Sequence, residues 1–524
     1  MSQPPPPPPS EPPSGGFGPP QDPPPSYGHP PSPPPPSYGH PRQPYGQPPV
    51  YGQYGEYGEH PTRPMAGGGA QPAGGGGRGR KLLAIVAAVV AVLLAAGGGV
   101  WFLTEDDGGT EAAKGDGKTG RDDHRREHKK RFGVIWEDGP PDMSERQGNE
   151  TARGTWFFED MLVRALPESV TAYHVDTGKE IWSLDLVRGD SCAAAPHQSG
   201  GRIVVQWGGM CEKIMAIDLA RGKELWREDL PAERGETDEF TGTEMAVSGD
   251  VAAVSWIGDA IGYDLSTGRV RWRMEDAADC RDDSYIGGKR LVALVTCFST
   301  GRQSIQAVKP DGEKAWEWKV PLGADVRTVF SSDPVVLGLM AGEGSDYTDI
   351  VALDDKGRTR SKIRVPEGRF DFLCGASGVA HCDNVLVDEE HDALYLQTMT
   401  HQGSGSGMSH NEIAAYDLST GKAKWLSKPT GEGRQVSPLA SYDGRLLAYE
   451  RISYDKAGLI TSVDPDTGEA APYARLPEAG AEQENELALS DGSTMHWYEG
   501  RFFVVANRFS TDESLNKGHV LAFG

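Results

Sequence analysis

Three kinds of side chain in this sequence could do chemistry: six cysteines, a recurring aspartate and thirteen histidines. The cysteines are Cys192, Cys211, Cys280, Cys297, Cys374 and Cys382. Zinc needs closely spaced thiolates, and no C-x-x-C pair occurs anywhere. An even number of cysteines suits disulfides instead, which persist in exported domains. Asp218, Asp264, Asp417 and Asp464 each precede a turn glycine and could suggest calcium. An Asx-type turn cap, repeated because its motif repeats, accounts for them more simply. The histidines, His174, His197, His381, His391 and His401 among them, include no pair at metal-binding spacing. The segment HQGSGSGMSH (401–410) reads as a flexible loop. DDSYIGGK and the GGG runs lack the lysine and Ser/Thr of a phosphate-binding loop. No catalytic constellation emerges. The expectation is a protein that is not an enzyme, with no catalytic, metal-binding or cofactor-binding residue and no cofactor.

The elements that carry these residues are repeats. Seven segments share the pattern apolar-x-turn-Gly-x-x-x-Trp: AYHVDTGKEIW, AIDLARGKELW, GYDLSTGRVRW, AVKPDGEKAW, ALDDKGRTRS, AYDLSTGKAKW and SVDPDTGEAAP. Their turn glycines, Gly178, Gly222, Gly268, Gly312, Gly357, Gly421 and Gly468, are spaced by 44, 46, 44, 45, 64 and 47 residues. Tryptophan follows the glycine by four positions at Trp182, Trp226, Trp272, Trp316 and Trp425, while Ser361 and Pro472 replace it in two copies. In each copy an alternating strand enters a tight turn, where glycine supplies a positive φ, and the next strand carries the Trp. Apolar runs such as RIVVQW (202–207) and DVAAVSW (250–256) precede the motif. Each unit is therefore about four strands, without helical periodicity between units. That period predicts an all-β fold of β-propeller blades, in which the Trp is a packing wedge between neighbours.

Blade number follows from length. The stretch 132–524 has 393 residues, and the turn glycines account for 290 of them. The remaining 103 connect Gly468 round to Gly178 and fit two blades rather than one. The chain ends in a strand, HVLAFG (519–524), and FGVIWED (132–138) supplies the strand that would come next, with Trp136 at the repeat position. Eight blades closed by the N-terminal strand are expected, with seven as the alternative. The same frame orders the cysteines. Cys192 and Cys211 lie 30 and 11 residues before Gly222, and Cys280 and Cys297 lie 32 and 15 before Gly312. Each pair brackets an outgoing strand and its returning neighbour, whose ends come within the roughly 4.4–6.8 Å Cα separation of a disulfide. Cys374 and Cys382, eight residues apart inside the 64-residue repeat, are left to pair with each other.

AxDxxTGKxxW at this period resembles the pyrroloquinoline quinone (PQQ)-type β-propeller repeat. The resemblance covers about 132–524 and is closer to the non-enzymatic BamB-like scaffold than to the quinoprotein alcohol dehydrogenases. Those enzymes are implied to hold their quinone over calcium beside two adjacent, disulfide-bonded cysteines. This sequence has no adjacent Cys pair and no haem-attaching C-x-x-C-H. Folds host many functions, so the repeat speaks for architecture rather than activity.

Composition assigns the rest of the chain. Residues 1–80 hold 26 of the 40 prolines and 17 of the 68 glycines, with no Trp or Cys, and read as a disordered cytoplasmic Pro/Gly/Tyr-rich tail. Its PPPSYGHP and YGQYGEYGE segments resemble tails of envelope proteins from high-GC Gram-positive bacteria, and its polyproline II stretches could dock on a partner. Residues 82–103 are uncharged, long enough at 1.5 Å per residue to span a bilayer core of roughly 30 Å. Arg78, Arg80 and Lys81 precede them and Glu105, Asp106 and Asp107 follow, which puts the N-terminus inside and the propeller outside the cell membrane in one pass. A cleaved signal peptide would need an n-region of about 80 residues. A charged linker, 104–131, leads to the propeller. The 421 residues after position 103 carry 47 basic against 72 acidic side chains, which argues against nucleic acid and anionic membrane surfaces as partners. The function expected is a membrane-anchored extracytoplasmic scaffold, binding a protein partner at a face or edge. A quinone-dependent oxidoreductase and an envelope sensor working through the tail are the alternatives.

Overall fold

The computed structural model describes residues 130–524, apart from 144–148, 187–189, 232–239, 241, 257–258, 275–278, 343, 345, 375–381, 403–408, 428–434, 452–456, 478–492 and 513–517. The tail at 1–80, the membrane segment at 82–103 and nearly all of the 104–131 linker lie outside the described residues. Among the described residues there is no helix long and apolar enough to cross a membrane.

Eight four-stranded antiparallel sheets follow one another along the chain. Seven are continuous, at 154–185, 190–229, 244–273, 280–319, 324–364, 385–427 and 436–475. In each, the chain passes from the inner strand to the outer one in sequence order. The eighth blade takes Ser493–Tyr498, Arg501–Ala506 and Val520–Phe523 from the C-terminal end and Val134–Asp138 as its outer strand. Gly133 and Gly524 exchange backbone hydrogen bonds of 3.0 and 3.1 Å where every other blade has a turn. The propeller is therefore eight-bladed and closed by the N-terminal strand. The linker boundary is corrected by two residues: Lys130–Arg131 pairs in parallel with Ala474 and Arg475 as a fifth strand on blade 7.

Burial explains the sequence pattern. Second strands such as Met161–Ala165 and Val251–Trp256 are buried at every position, since a neighbouring blade covers each face. Outer strands such as Glu180–Asp185 alternate between exposed and half-buried residues. The closure adds a polar clamp. Arg164 of blade 1 is fully buried and donates to Asn507 Oδ1 at 3.0 Å and to the Ala506 carbonyl at 2.6 Å, both in blade 8. Burial pulls this guanidinium down to about 9, so it stays charged near neutrality.

The repeat Trp joins each blade to the next. The rings of Trp136, Trp182, Trp226, Trp272, Trp316 and Trp425 cover Gly178, Gly222, Gly268, Gly312, Gly357 and Gly468. A methyl group on any of these glycines would fall 2.3–2.9 Å from the ring. The indole N–H of Trp136, Trp182, Trp226 and Trp425 also donates to the carbonyl three residues before the covered glycine, at 2.7–3.0 Å. The two copies that lack Trp differ for physical reasons. Ser361 reaches the equivalent carbonyl of Leu418 with its hydroxyl at 2.6 Å, and the Lys362 backbone lies where the ring would be. Pro472 faces the blade whose turn is replaced by the two chain ends, so no glycine turn stands there to cover. Trp226 separates the two parts of this joint. Trp226→Ala should destabilise the propeller by about 3–5 kcal/mol in chemical denaturation. Trp226→Phe keeps most of the packing but orphans the Leu265 carbonyl, and should cost about 1–3 kcal/mol.

Candidate functional site: an acidic cavity on one face

Strand direction alternates across each blade. The crossovers from outer to inner strands and the loops between second and third strands therefore emerge together, at the face where the inner strands begin. A cavity of about 760 Å³ opens there between blades 3 and 6. Blade 3 contributes Glu244, blade 4 Asp283 and Ser284, blade 5 Arg327, Asp346 and Tyr347, and the crossover to blade 6 Glu367, Asp371, Phe372 and Cys374. The lining thus includes five carboxylic residues and one arginine. Burial pushes the Glu244 carboxyl up to about 7. Asp283 and Asp371 are also raised, in both cases first by burial. The Ser284 hydroxyl is buried at the wall and has no partner among the described residues.

One side of the cavity is aromatic and held by the 64-residue repeat. The rings of Tyr347 and Phe372 lie 4.2 Å apart, and Phe330 stacks on Phe372 at 6.0 Å. The Tyr347 hydroxyl bonds Thr328 Oγ1 at 2.6 Å and lies 3.4 Å from Cys374 Sγ. The extra residues of this repeat interrupt the inner edge of blade 6. Phe370 pairs with Thr398 above the strand Val385–Asp388, and Cys374 bridges to Cys382 between them. That bridge lends Cys374 to the acidic cavity and Cys382 to a second cavity of about 330 Å³.

The three disulfides are Cys192–Cys211, Cys280–Cys297 and Cys374–Cys382, with Cα separations of 5.8, 3.8 and 3.9 Å. The last two are tighter than the separation expected from spacing. Cys280 faces Cys297 directly in the antiparallel register, and Cys374 faces Cys382 in an isolated antiparallel bridge. None of the repeat Trp residues borders the cavity. The turn aspartates are caps. Asp264 Oδ1 accepts the backbone N–H and the hydroxyl of both Ser266 and Thr267, which holds its carboxyl well below the usual range. Asp417 and Asp464 accept the equivalent bonds in their own turns, and Asp218 caps the Arg221 N–H. His174 lies 3.6 Å from Asp160, His391 bonds Asp388 at 2.9 Å, and His197 borders the second cavity. His381 lies outside the described residues.

His401 and His410, nine residues apart, face each other as register partners of a two-stranded ribbon, and Glu412 joins them. Linear spacing hid this pair, because it is the antiparallel register of the ribbon that sets His401 opposite His410. The acidic cavity was also missed. Its carboxyl groups come from four separate blades and crossovers, and no local pattern links them.

These features define a class: an eight-bladed β-propeller built on PQQ-type repeats. A family model described as outer membrane protein assembly factor BamB matches residues 133–291 and 301–511, and the chain belongs to that family. Among curated proteins it is similar to the quinohemoprotein alcohol dehydrogenase ADH IIB of Pseudomonas putida, 22% identical over 404 residues. That match covers 63% of this chain and 54% of the dehydrogenase, so the chain spans about half the length of that relative. A distant relative is thus a dehydrogenase, which is compatible with enzyme activity here. Among solved structures, the computationally designed Ika8 protein has a TM-score of 0.45 at 11% identity, covering 75% of this chain and 99% of that one. The quinohemoprotein alcohol dehydrogenase ADHIIG from Pseudomonas putida HK5 has a TM-score of 0.45 at 12% identity, covering 76% and 77%. The C-terminal WD40 domain of Sif2 has a TM-score of 0.42 at 12% identity, covering 75% and 98%.

The residues present do not fit the groups in the dehydrogenase's name. All six cysteines are committed to disulfides, which leaves no thiol for haem attachment. Pyrroloquinoline quinone is itself a polycarboxylate, and the cavity offers it Arg327 among five acids.

Glu244 supplies a test of the cavity's electrostatics. Its raised value means that folding disfavours the charged form. The penalty is absent below the ordinary value of 4.5, grows as pH rises towards 7, and is complete above it. Glu244→Gln should therefore match the wild type near pH 4.5 and be more stable above neutrality, by up to about 3 kcal/mol. Urea denaturation at about pH 4.5 and about pH 8 measures the difference.

Proposed function

We propose that this protein is a membrane-anchored, extracytoplasmic binding propeller whose acidic face holds a basic segment of another envelope component. The carrying observation is the cavity whose lining holds five carboxylic residues and a single arginine. Its surroundings support the reading. Met210, Phe298, Leu322, Leu373 and Met399, all exposed, sit on second-to-third loops or outer-to-inner crossovers, the connections that emerge at this same face. Apolar contacts around a charged centre suit a protein partner. The net charge of −24 favours electrostatic capture of a cationic one. Anchoring by residues 82–103, with the propeller outside, is supported by the flanking charges and by three disulfides.

The full chain in detergent should bind an oligolysine peptide and ignore an oligoglutamate of equal length, with affinity falling as salt rises. Asp283→Asn combined with Asp371→Asn should weaken oligolysine binding at least about tenfold, measured by fluorescence anisotropy. Equal affinity in the variant would reject the cavity as the binding face. Topology is checked separately: protease added to intact cells should leave the proline-rich tail uncut.

The dehydrogenase relative favours a second reading, a quinone-dependent oxidoreductase. Adding pyrroloquinoline quinone and calcium to the full chain distinguishes the two. A bound chromophore with dye-linked alcohol oxidation would establish the second and displace the first.

A further inference from the structure

We infer that His401, His410 and Glu412 form a binding site for one divalent late first-row metal ion, with zinc as the reference ion. One ligand atom from each residue lies within 4.8 Å of the others, so a modest contraction brings all three onto a common ion. The two imidazole rings are 4.3 Å apart, and His401 Nε2 is 3.3 Å from Glu412 Oε1. Two imidazole nitrogens and a carboxylate make a donor set suited to such ions, with coordination positions left open.

The groups behind the ligands point the same way. His401 Nδ1 lies 3.4 Å from the Met399 carbonyl, and the opposite ring nitrogen, Nε2, faces the Glu412 carboxylate. A metal ion placed there would take both imidazoles and the carboxylate at once. Thr398 Oγ1 donates to Glu412 Oε2 at 3.0 Å and accepts the Glu412 backbone N–H at 2.9 Å, which orients the carboxylate as outer-shell partners of metal sites do. Between His410 and Glu412, the fully buried Asn411 accepts the Val436 N–H at 2.7 Å and donates to the Val436 carbonyl at 2.9 Å. Two of the three ligands are therefore fixed against blade 7 rather than carried on a free loop. Met399, two residues before His401, borders the acidic cavity, so the ion would stand at its rim.

Titration of the metal-free full chain with cobalt(II), followed by displacement with zinc, tests this. Visible absorption reports the coordination sphere. The wild type should show one saturable site with the d–d bands of a nitrogen- and oxygen-ligated four- or five-coordinate ion, bleached by zinc. His401→Ala, His410→Ala and Glu412→Gln should each weaken it at least about tenfold, and the double histidine variant should abolish it. His391→Ala, which removes an imidazole outside the cluster, should leave the site unchanged. Zinc should also raise the melting temperature of the wild type but not of the double variant, whose metal-free melting should be unaltered. An unchanged spectrum in the double variant would overturn the assignment, because the ion would then be bound elsewhere. So would the lack of any saturable site in the wild type.

Discussion

A blade whose middle strands are apolar on both faces cannot leave either face in water, and closure of the ring is the condition on which the rest of this structure depends. Each four-stranded sheet has little to pack within itself. Its stability comes from the neighbours, through clusters such as Val163, Val205 and Ile217 between blades 1 and 2, or Val254 and Ile214 between blades 2 and 3. The Trp-over-glycine joint sets the angle and spacing of these contacts. A wide flat ring seats on a turn with no Cβ, and an indole N–H satisfies a carbonyl that the turn leaves free. The joint tolerates one substitution by chemistry, the Ser361 hydroxyl, and one by topology, the blade closed by the two chain ends.

Closure also explains where irregular features accumulate. The edges of the sheets are consumed by the ring or face outward as charged outer strands. The described disulfides all lie at the face where inner strands begin. Cys192–Cys211 and Cys280–Cys297 tie an inner strand to the loop or strand end beside it. Cys374–Cys382 pins the crossover that interrupts blade 6. Around that crossover the propeller departs furthest from its repeat. Aromatic rings, buried acids and the His401–His410 ribbon meet there, all in or beside the one unit of 64 residues. The departure carries packing of its own, since Phe370 is buried in the core between blades 5 and 6 with Phe372 against it.

The family's repeat builds the scaffold, but the chemistry of a face is set by what the loops bring to it. Here they bring carboxyl groups whose ionisation is held back by burial, as at Glu244, Asp283 and Asp371.

Fold class, blade count, the closing strand and the three cysteine pairs were all legible in the sequence. Each depends on a period of about 45 residues, or on what lies next to it in that frame. A turn needing a positive φ asks for glycine, and a wedge filling the gap between sheets asks for Trp, so both recur at fixed positions. The acidic cavity and the His401, His410 and Glu412 cluster were not legible. Glu244 and Asp371 are 127 residues apart in the chain and share a cavity only because the ring bends blades 3 to 6 around a common axis. His401 and His410 stand at no metal-binding spacing, and only the antiparallel register of their ribbon sets one ring against the other. Local backbone preference and periodic packing are written along the chain, whereas the convergence of charged groups at a face depends on curvature and register, which only the closed tertiary structure decides.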